Sequence, residues 1–137
     1  MTSRNSAKCS CGSLGVELTA EAHFIIACHC RACQRRSGAA FGAGAYYDPA
    51  AATVIGKPRE YCRTPDAGGT FRTFFCSECG TSVFWTIDQH PGLIGVALGT
   101  LEMPLAGIEV HSLFERSKLE WITIDAASLH SPDGYPG

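Results

Sequence analysis

Apolar residues in this chain come in short alternating runs, and no helical period persists over ten residues. Leu14, Val16 and Leu18 alternate with Gly15, Glu17 and Thr19, the pattern of a half-buried strand. His23 to Cys28 is short, apolar and β-branched and predicts a second strand. Ala39 to Tyr47 predicts another, stopped by Asp48-Pro49. Thr53 to Tyr61 reads as a strand interrupted by Gly56 and Pro58. Phe71 to Phe75 and Ser82 to Ile87 predict the two arms of a hairpin, entered through turn chemistry at Pro65 to Gly69. Leu93 to Leu98, Val110 to Phe114 and Trp121 to Ile124 complete the series. Arg31 to Ser37 stands apart as a turn or short helix ended by Gly38.

Many short strands joined by turns predict a mostly β, antiparallel fold with little helix. The glycine and proline counts, 15 and 7, agree with that pattern. At 137 residues the chain reads as one domain, with a core from about 9 to 125. A polar lead to Lys8 and a Pro/Gly-rich tail from Ser131, expected to be poorly ordered, flank it. The net charge of −2 gives no electrostatic reason to expect a nucleic acid as partner, and no polybasic patch suggests a membrane surface. No apolar run approaches the roughly 18 residues needed to span a bilayer. Met1 to Lys8 contains no apolar signal-peptide segment, so the expected compartment is the cytoplasm. The oligomeric state is not legible.

Eight cysteines are many for a reducing compartment, where structural disulfides are disfavoured. Their grouping favours metal binding. Cys9 and Cys11 form C-x-C, Cys28, Cys30 and Cys33 form C-x-C-x-x-C, and Cys76 and Cys79 form C-x-x-C followed by Gly80. Cys62 stands alone and is expected to pack against the sheet without binding metal. Zinc takes four ligands at tetrahedral corners. Pairing Cys9 and Cys11 with Cys76 and Cys79 completes a four-sulfur site and leaves the triplet with three ligands. Four ligands mark a structural zinc and three mark a catalytic one. A dithiol redox pair, structural disulfides, and two structural zincs with Cys62, His29 or another side chain at the last corner are the competing readings.

The order of the groups resembles the glutathione-dependent formaldehyde-activating enzyme family, which includes centromere protein V. The resemblance runs through C-S-C-G-S-L-G-V-E-L, C-H-C-R-A-C-Q-R-R-S-G-A-A-F-G-A-G-A and F-F-C-S-E-C-G-T-S-V-F, then His111, Ser117-Lys118 and Trp121. It implies two small sheets leaning together as a tent. It implies a structural zinc on Cys9, Cys11, Cys76 and Cys79 and a second, catalytic zinc on Cys28, Cys30 and Cys33. It also implies carbon–sulfur lyase chemistry on an adduct of glutathione, the co-substrate, with an aldehyde such as formaldehyde.

Three thiolates make the second site negative. Arg31, Arg35 and Arg36 beside it are candidates to neutralise it and to meet glutathione's carboxylates. In an extended knuckle His29 points away from its two cysteine neighbours, as a supporting or proton-relay residue or as a packed one. Phe41, Phe74, Phe75, Phe84, Trp85 and Trp121 are expected in the core. A non-catalytic, zinc-stabilised interaction module is the alternative function.

Overall fold

The alternating runs become strands, and the strands assemble into two sheets. The computed structural model describes residues 4–136. The smaller sheet contains β1 (Asn5–Lys8), β2 (Gly15–Leu18) and β5 (Ala52–Ile55), in the order β1-β2-β5 and antiparallel throughout. The larger contains β3 (Phe24–Cys28), β4 (Gly42–Tyr47), β6 (Arg59–Arg63), β7 (Phe71–Phe75), β8 (Ser82–Ile87), β9 (Ile94–Ala97), β10 (Val110–Leu113) and β11 (Leu129–His130). Its order is β11-β10-β3-β4-β9-β8-β7-β6. The fold is mostly β, and the one α-helix among the described residues is α1 (Arg31–Ser37). None of the described helices is long and apolar enough to cross a membrane.

Side chains alternate across a strand, so the larger sheet has two distinct faces. One presents Ile25, Ala45, Tyr47, Val83 and Val96 to Ala7, Val16 and Leu18 of the smaller sheet, forming the main buried cluster. Burying each aliphatic side chain of that size contributes about 1.5–3 kcal/mol. The opposite face carries a second cluster of Ile26, Tyr46, Phe71, Trp85 and Leu113. Helix α1 lies against that second face at β4, where a Cβ on Gly42 would sit 3.1 Å from the Cys33 Cβ.

Several sequence expectations change in detail. Thr53 to Tyr61 is two strands in different sheets, β5 and β6, separated at Gly56. Gly56 has φ +93°, and a Cβ there would lie 2.2 Å from the Ser13 carbonyl oxygen, so the chain leaves the small sheet through glycine. Strand β10 runs parallel to both β3 and β11, while the other ladders are antiparallel. Trp121 to Ile124 forms no strand, and Trp121 is 73% exposed rather than in the core. The polar lead supplies β1, although Met1 to Ser3 lie outside the described residues. The tail is docked as far as it is described: Ser131 is buried, and Asp133 accepts a backbone hydrogen bond from Phe114 through its carbonyl at 2.8 Å. Gly137 lies outside the described residues.

Candidate metal centres

Cys9 and Cys11 sit in the turn after β1, and Cys76 and Cys79 in the turn after β7. Each turn is closed by local hydrogen bonds. Gly12 N–H donates to the Cys9 carbonyl at 3.2 Å, and Gly80 N–H to the Cys76 carbonyl at 2.9 Å. Gly12 and Gly80 both take left-handed backbone, with φ of 85° and 81°. The turns meet although they are far apart in sequence. Ser10 N–H donates to Thr81 Oγ1 at 3.1 Å, which fastens one knuckle to the other.

All four sulfurs lie within 4.8 Å of one another. Cys9 and Cys11 Sγ are 3.8 Å apart, and Cys11 and Cys76 Sγ are 3.7 Å apart. A tetrahedral zinc–sulfur site with bonds of about 2.3 Å has edges of about 3.8 Å, so the donor set fits zinc. No disulfide links the cysteines. Backbone N–H groups already point at two of the sulfurs, Leu14 to Cys9 at 3.2 Å and Glu78 to Cys76 at 3.3 Å. Such donors stabilise thiolates. The hydroxyl of Thr81, followed by neighbouring backbone, holds the exposed Cys79 thiol down at about 5.

The second group is local. Cys28 ends β3, Cys30 caps α1, and Cys33 lies in its first turn. The Cys30 sulfur accepts the Cys33 N–H at 3.3 Å, so one residue both starts the helix and offers a ligand. Gly38, with φ 65°, closes the helix C-terminus. The three sulfurs lie within 4.8 Å of one another, and no fourth His, Cys, Asp or Glu atom among the described residues joins that group. Hydrogen bonds from Cys28 and then Cys33 hold Cys30 as a thiolate, at about 2. The same contacts push Cys28 far up. At Cys33 the contact with Cys28 lowers the thiol, but Cys30 and burial outweigh it. The metal-free triplet therefore carries one thiolate and two thiols.

His29 points away from the sulfurs into the protein, fully buried, with Nε2 3.0 Å from Ser112 Oγ. Burial lowers its pKa. Gln34 anchors the knuckle by donating to the His29 carbonyl at 2.8 Å and to the Ser117 carbonyl at 3.2 Å.

The three arginines of α1 separate. Arg31 turns to Gln34 Oε1. Arg35 and Arg36 line a cavity of about 550 Å³ between α1 and strands β6, β7 and β8. The cavity reaches Gly80 in the four-sulfur knuckle and brings in Tyr61 and Arg63 from β6. Arg63 adds to the stabilisation of the Cys30 thiolate, and Arg36 lowers Cys33. Sequence reasoning missed Arg63 because nothing near it in the chain carries a motif. Its register opposite Phe71, with Tyr61 opposite Thr73, is what brings it to the cavity. Cys62, on the other side of that strand, is exposed rather than packed, and donates to Glu60 at 2.9 Å. His111 is held between Tyr135 OH at 2.6 Å and Glu109 at 3.2 Å, a satisfied side chain that belongs to neither sulfur group.

The family model described as "Glutathione-dependent formaldehyde-activating enzyme" matches residues 4–117, which include both sulfur groups. A solved structure of a Rhodobacter sphaeroides protein is similar in fold, with a TM-score of 0.55. It is 17% identical and the match covers 92% of this chain and 98% of that one. No curated protein matches the chain.

Proposed function

Because the chain belongs to the glutathione-dependent formaldehyde-activating enzyme family, we propose that it is a zinc-dependent carbon–sulfur lyase acting on a thiol–aldehyde adduct. The adduct would be S-hydroxymethylglutathione or a close analogue. In the forming direction the thiol S–H adds across the aldehyde C=O. A carbon–sulfur bond forms and the proton ends on oxygen. The reverse releases both partners.

The observation that carries this reading is the contrast between the two groups. Four sulfurs close one tetrahedron, while three stand together without a fourth, and Ala32 between two of them lines the cavity with Arg35 and Arg36. The first set would hold a structural zinc and the second a catalytic one. A zinc held by Cys28, Cys30 and Cys33 would supply an acidified fourth position for a substrate thiol. The chain's own residues do the rest. Gln34 holds the Cys28–Cys30 loop against the Ser117 carbonyl and so fixes the ligands relative to the cavity. Arg36 and Arg63 offset the negative charge of the thiolates, and with Arg35 they meet an anionic substrate. The compartment would be the cytoplasm, with neither nucleic acid nor membrane as partner.

One observation favours the interaction-module alternative: Trp121 and Tyr61 are 73% and 64% exposed. Calorimetric titration of the zinc-loaded protein separates the readings. Glutathione should bind with a heat that changes with buffer ionisation enthalpy, because a proton leaves. S-methylglutathione, which cannot form a thiolate, should bind more weakly and without that dependence. Added formaldehyde should then exchange with the adduct faster than without protein. Equal binding of both peptides, with no faster exchange, would leave the module in front.

A further inference from the structure

Two glycines open a trough in the larger sheet. A Cβ on Gly44 would lie 2.3 Å from the Trp85 ring, and one on Gly95 2.2 Å from it. The indole therefore lies flat across β4 and β9, and its Nε1–H donates to Tyr46 OH at 2.9 Å. The Arg36 guanidinium sits on that fixed ring, with Cζ 4.1 Å from the centroid. Phe71 stacks beside Trp85 at 6.2 Å and 24°. Arg63 sits on Phe71, 4.5 Å from its centroid. Two cations are thus held on two adjacent aromatic rings.

An arginine stacked on a ring keeps its in-plane N–H donors for another partner. These donors are largely unused. The contact from Arg36 to Ser82 Oγ is long, at 3.4 Å, and the Arg36 Nε–H is buried with no partner among the described residues. Neither arginine takes part in the ion pairs seen among the described residues. Both line the same cavity, whose walls include no carboxylate. Its volume, about 550 Å³, suits a small peptide-sized ligand.

Resting on the reading that the triplet handles a thiol, we infer that Arg36 and Arg63 form a specificity-determining pair that selects thiols carrying two carboxylates over neutral thiols. Each guanidinium takes one carboxylate in its plane while its face stays on the ring. Trp85 and Phe71 fix where the two charges stand.

The test uses probes with no free thiol, so that it does not depend on chemistry at sulfur. The zinc-loaded full chain carries Trp121→Phe, leaving Trp85 as its sole tryptophan. It is titrated with S-methylglutathione and with the diethyl ester of that compound, followed by calorimetry and Trp85 emission. The acid should shift the emission and bind roughly tenfold or more tightly than the ester. Arg63→Gln should bring the acid down to the level of the ester and leave the ester unchanged, and Arg63→Lys should recover part of the loss. Arg63 lies on an edge strand, so these variants leave the half-buried Arg36 on its buried Trp85 ring. Equal binding of acid and ester to the parent, equal weakening of both by Arg63→Gln, or no binding of the acid at millimolar concentration overturns the pair. Adduct exchange is measured separately. Its absence alongside an Arg63-dependent preference for the acid supports the pair and removes only the lyase reading. Exchange without that preference removes only the pair.

Discussion

At the scale of single residues, the chemistry depends on where protons and small side chains sit. Metal-free, the triplet holds its charge on Cys30, while Cys28 and Cys33 keep their protons above the usual thiol range. A metal requires all three as thiolates, so binding expels the protons of Cys28 and Cys33. The sign follows: raising the pH removes the competing protons and tightens binding. Apparent zinc affinity at the triplet should rise about a hundredfold per pH unit across the neutral range, tenfold for each proton. Competition titrations with a chromophoric chelator at several pH values check this, and a flat profile would contradict the proton inventory. Packing is equally local around Trp85. A methyl group at Gly95 would lie 2.2 Å from Nε1, 2.7 Å from Cε2 and 2.8 Å from Cδ1 of an indole that is only 3% exposed. Trp85 cannot move without displacing Arg36 above it. Gly95→Ala should therefore cost on the order of 2 kcal/mol in denaturant unfolding, the penalty of an overpacked core.

At the scale of elements, what the chain announces is what its spacing controls. The cysteine knuckles, α1 with its Gly38 cap, and the β7–β8 hairpin all depend on neighbours within a few residues, and all were legible. The two-sulfur pairs meet where the arithmetic put them. Strand β1 was not legible because its residues, Asn5 to Lys8, are polar or small and only Ala7 is buried. Strand β11 has two residues and gives no period. The parallel pairing of β10 with β3 is a product of the long connection between them, about which alternation is silent. Trp121 to Ile124 was misread because apolar content alone does not make a ladder. The tail was misread because its order comes from backbone groups. Phe114, Glu115 and Arg116 N–H donate to the carbonyls of Asp133, Ser131 and Pro132 at 2.8, 2.9 and 3.1 Å. The Arg116–Asp133 ion pair joins the same segments, but both side chains are about two-thirds exposed. Asp133→Ala should therefore leave the unfolding midpoint close to that of the parent. Truncation after His130 removes these three backbone bonds and a fourth, from Ser131 N–H to the Ser112 carbonyl at 2.9 Å, and should cost about 2–6 kcal/mol. The segment it frees leads into Ser117, whose carbonyl holds Gln34, so the truncated protein should also bind zinc more weakly at the triplet. Unfolding curves of the two variants separate the backbone contribution from the charge.

At the scale of the whole molecule, the two sulfur groups have different mechanical roles. Cys9 and Cys11 follow a strand of the small sheet, and Cys76 and Cys79 follow a strand of the large one, so a metal there would join the sheets. Cys28, Cys30 and Cys33 span only the end of β3 and the first turn of α1, so a metal there would close a local loop. A zinc site that joins distant segments contributes directly to folding, on the order of 10 kcal/mol in small zinc peptides. That exceeds the whole stability of many domains, about 5–15 kcal/mol, at its lower end. Cys76→Ser should therefore lose one zinc and much of its cooperative unfolding, whereas Cys30→Ser should lose one zinc and all adduct chemistry while unfolding near the parent midpoint. Cys62→Ala should keep the full metal content, since Cys62 stands apart from both groups and is exposed. Metal content per chain and unfolding midpoints, measured on the three variants side by side, decide the matter. A Cys76→Ser protein that unfolds like the parent, or a Cys30→Ser protein that collapses with it, would reverse the assignment of structural and catalytic roles to the two sites.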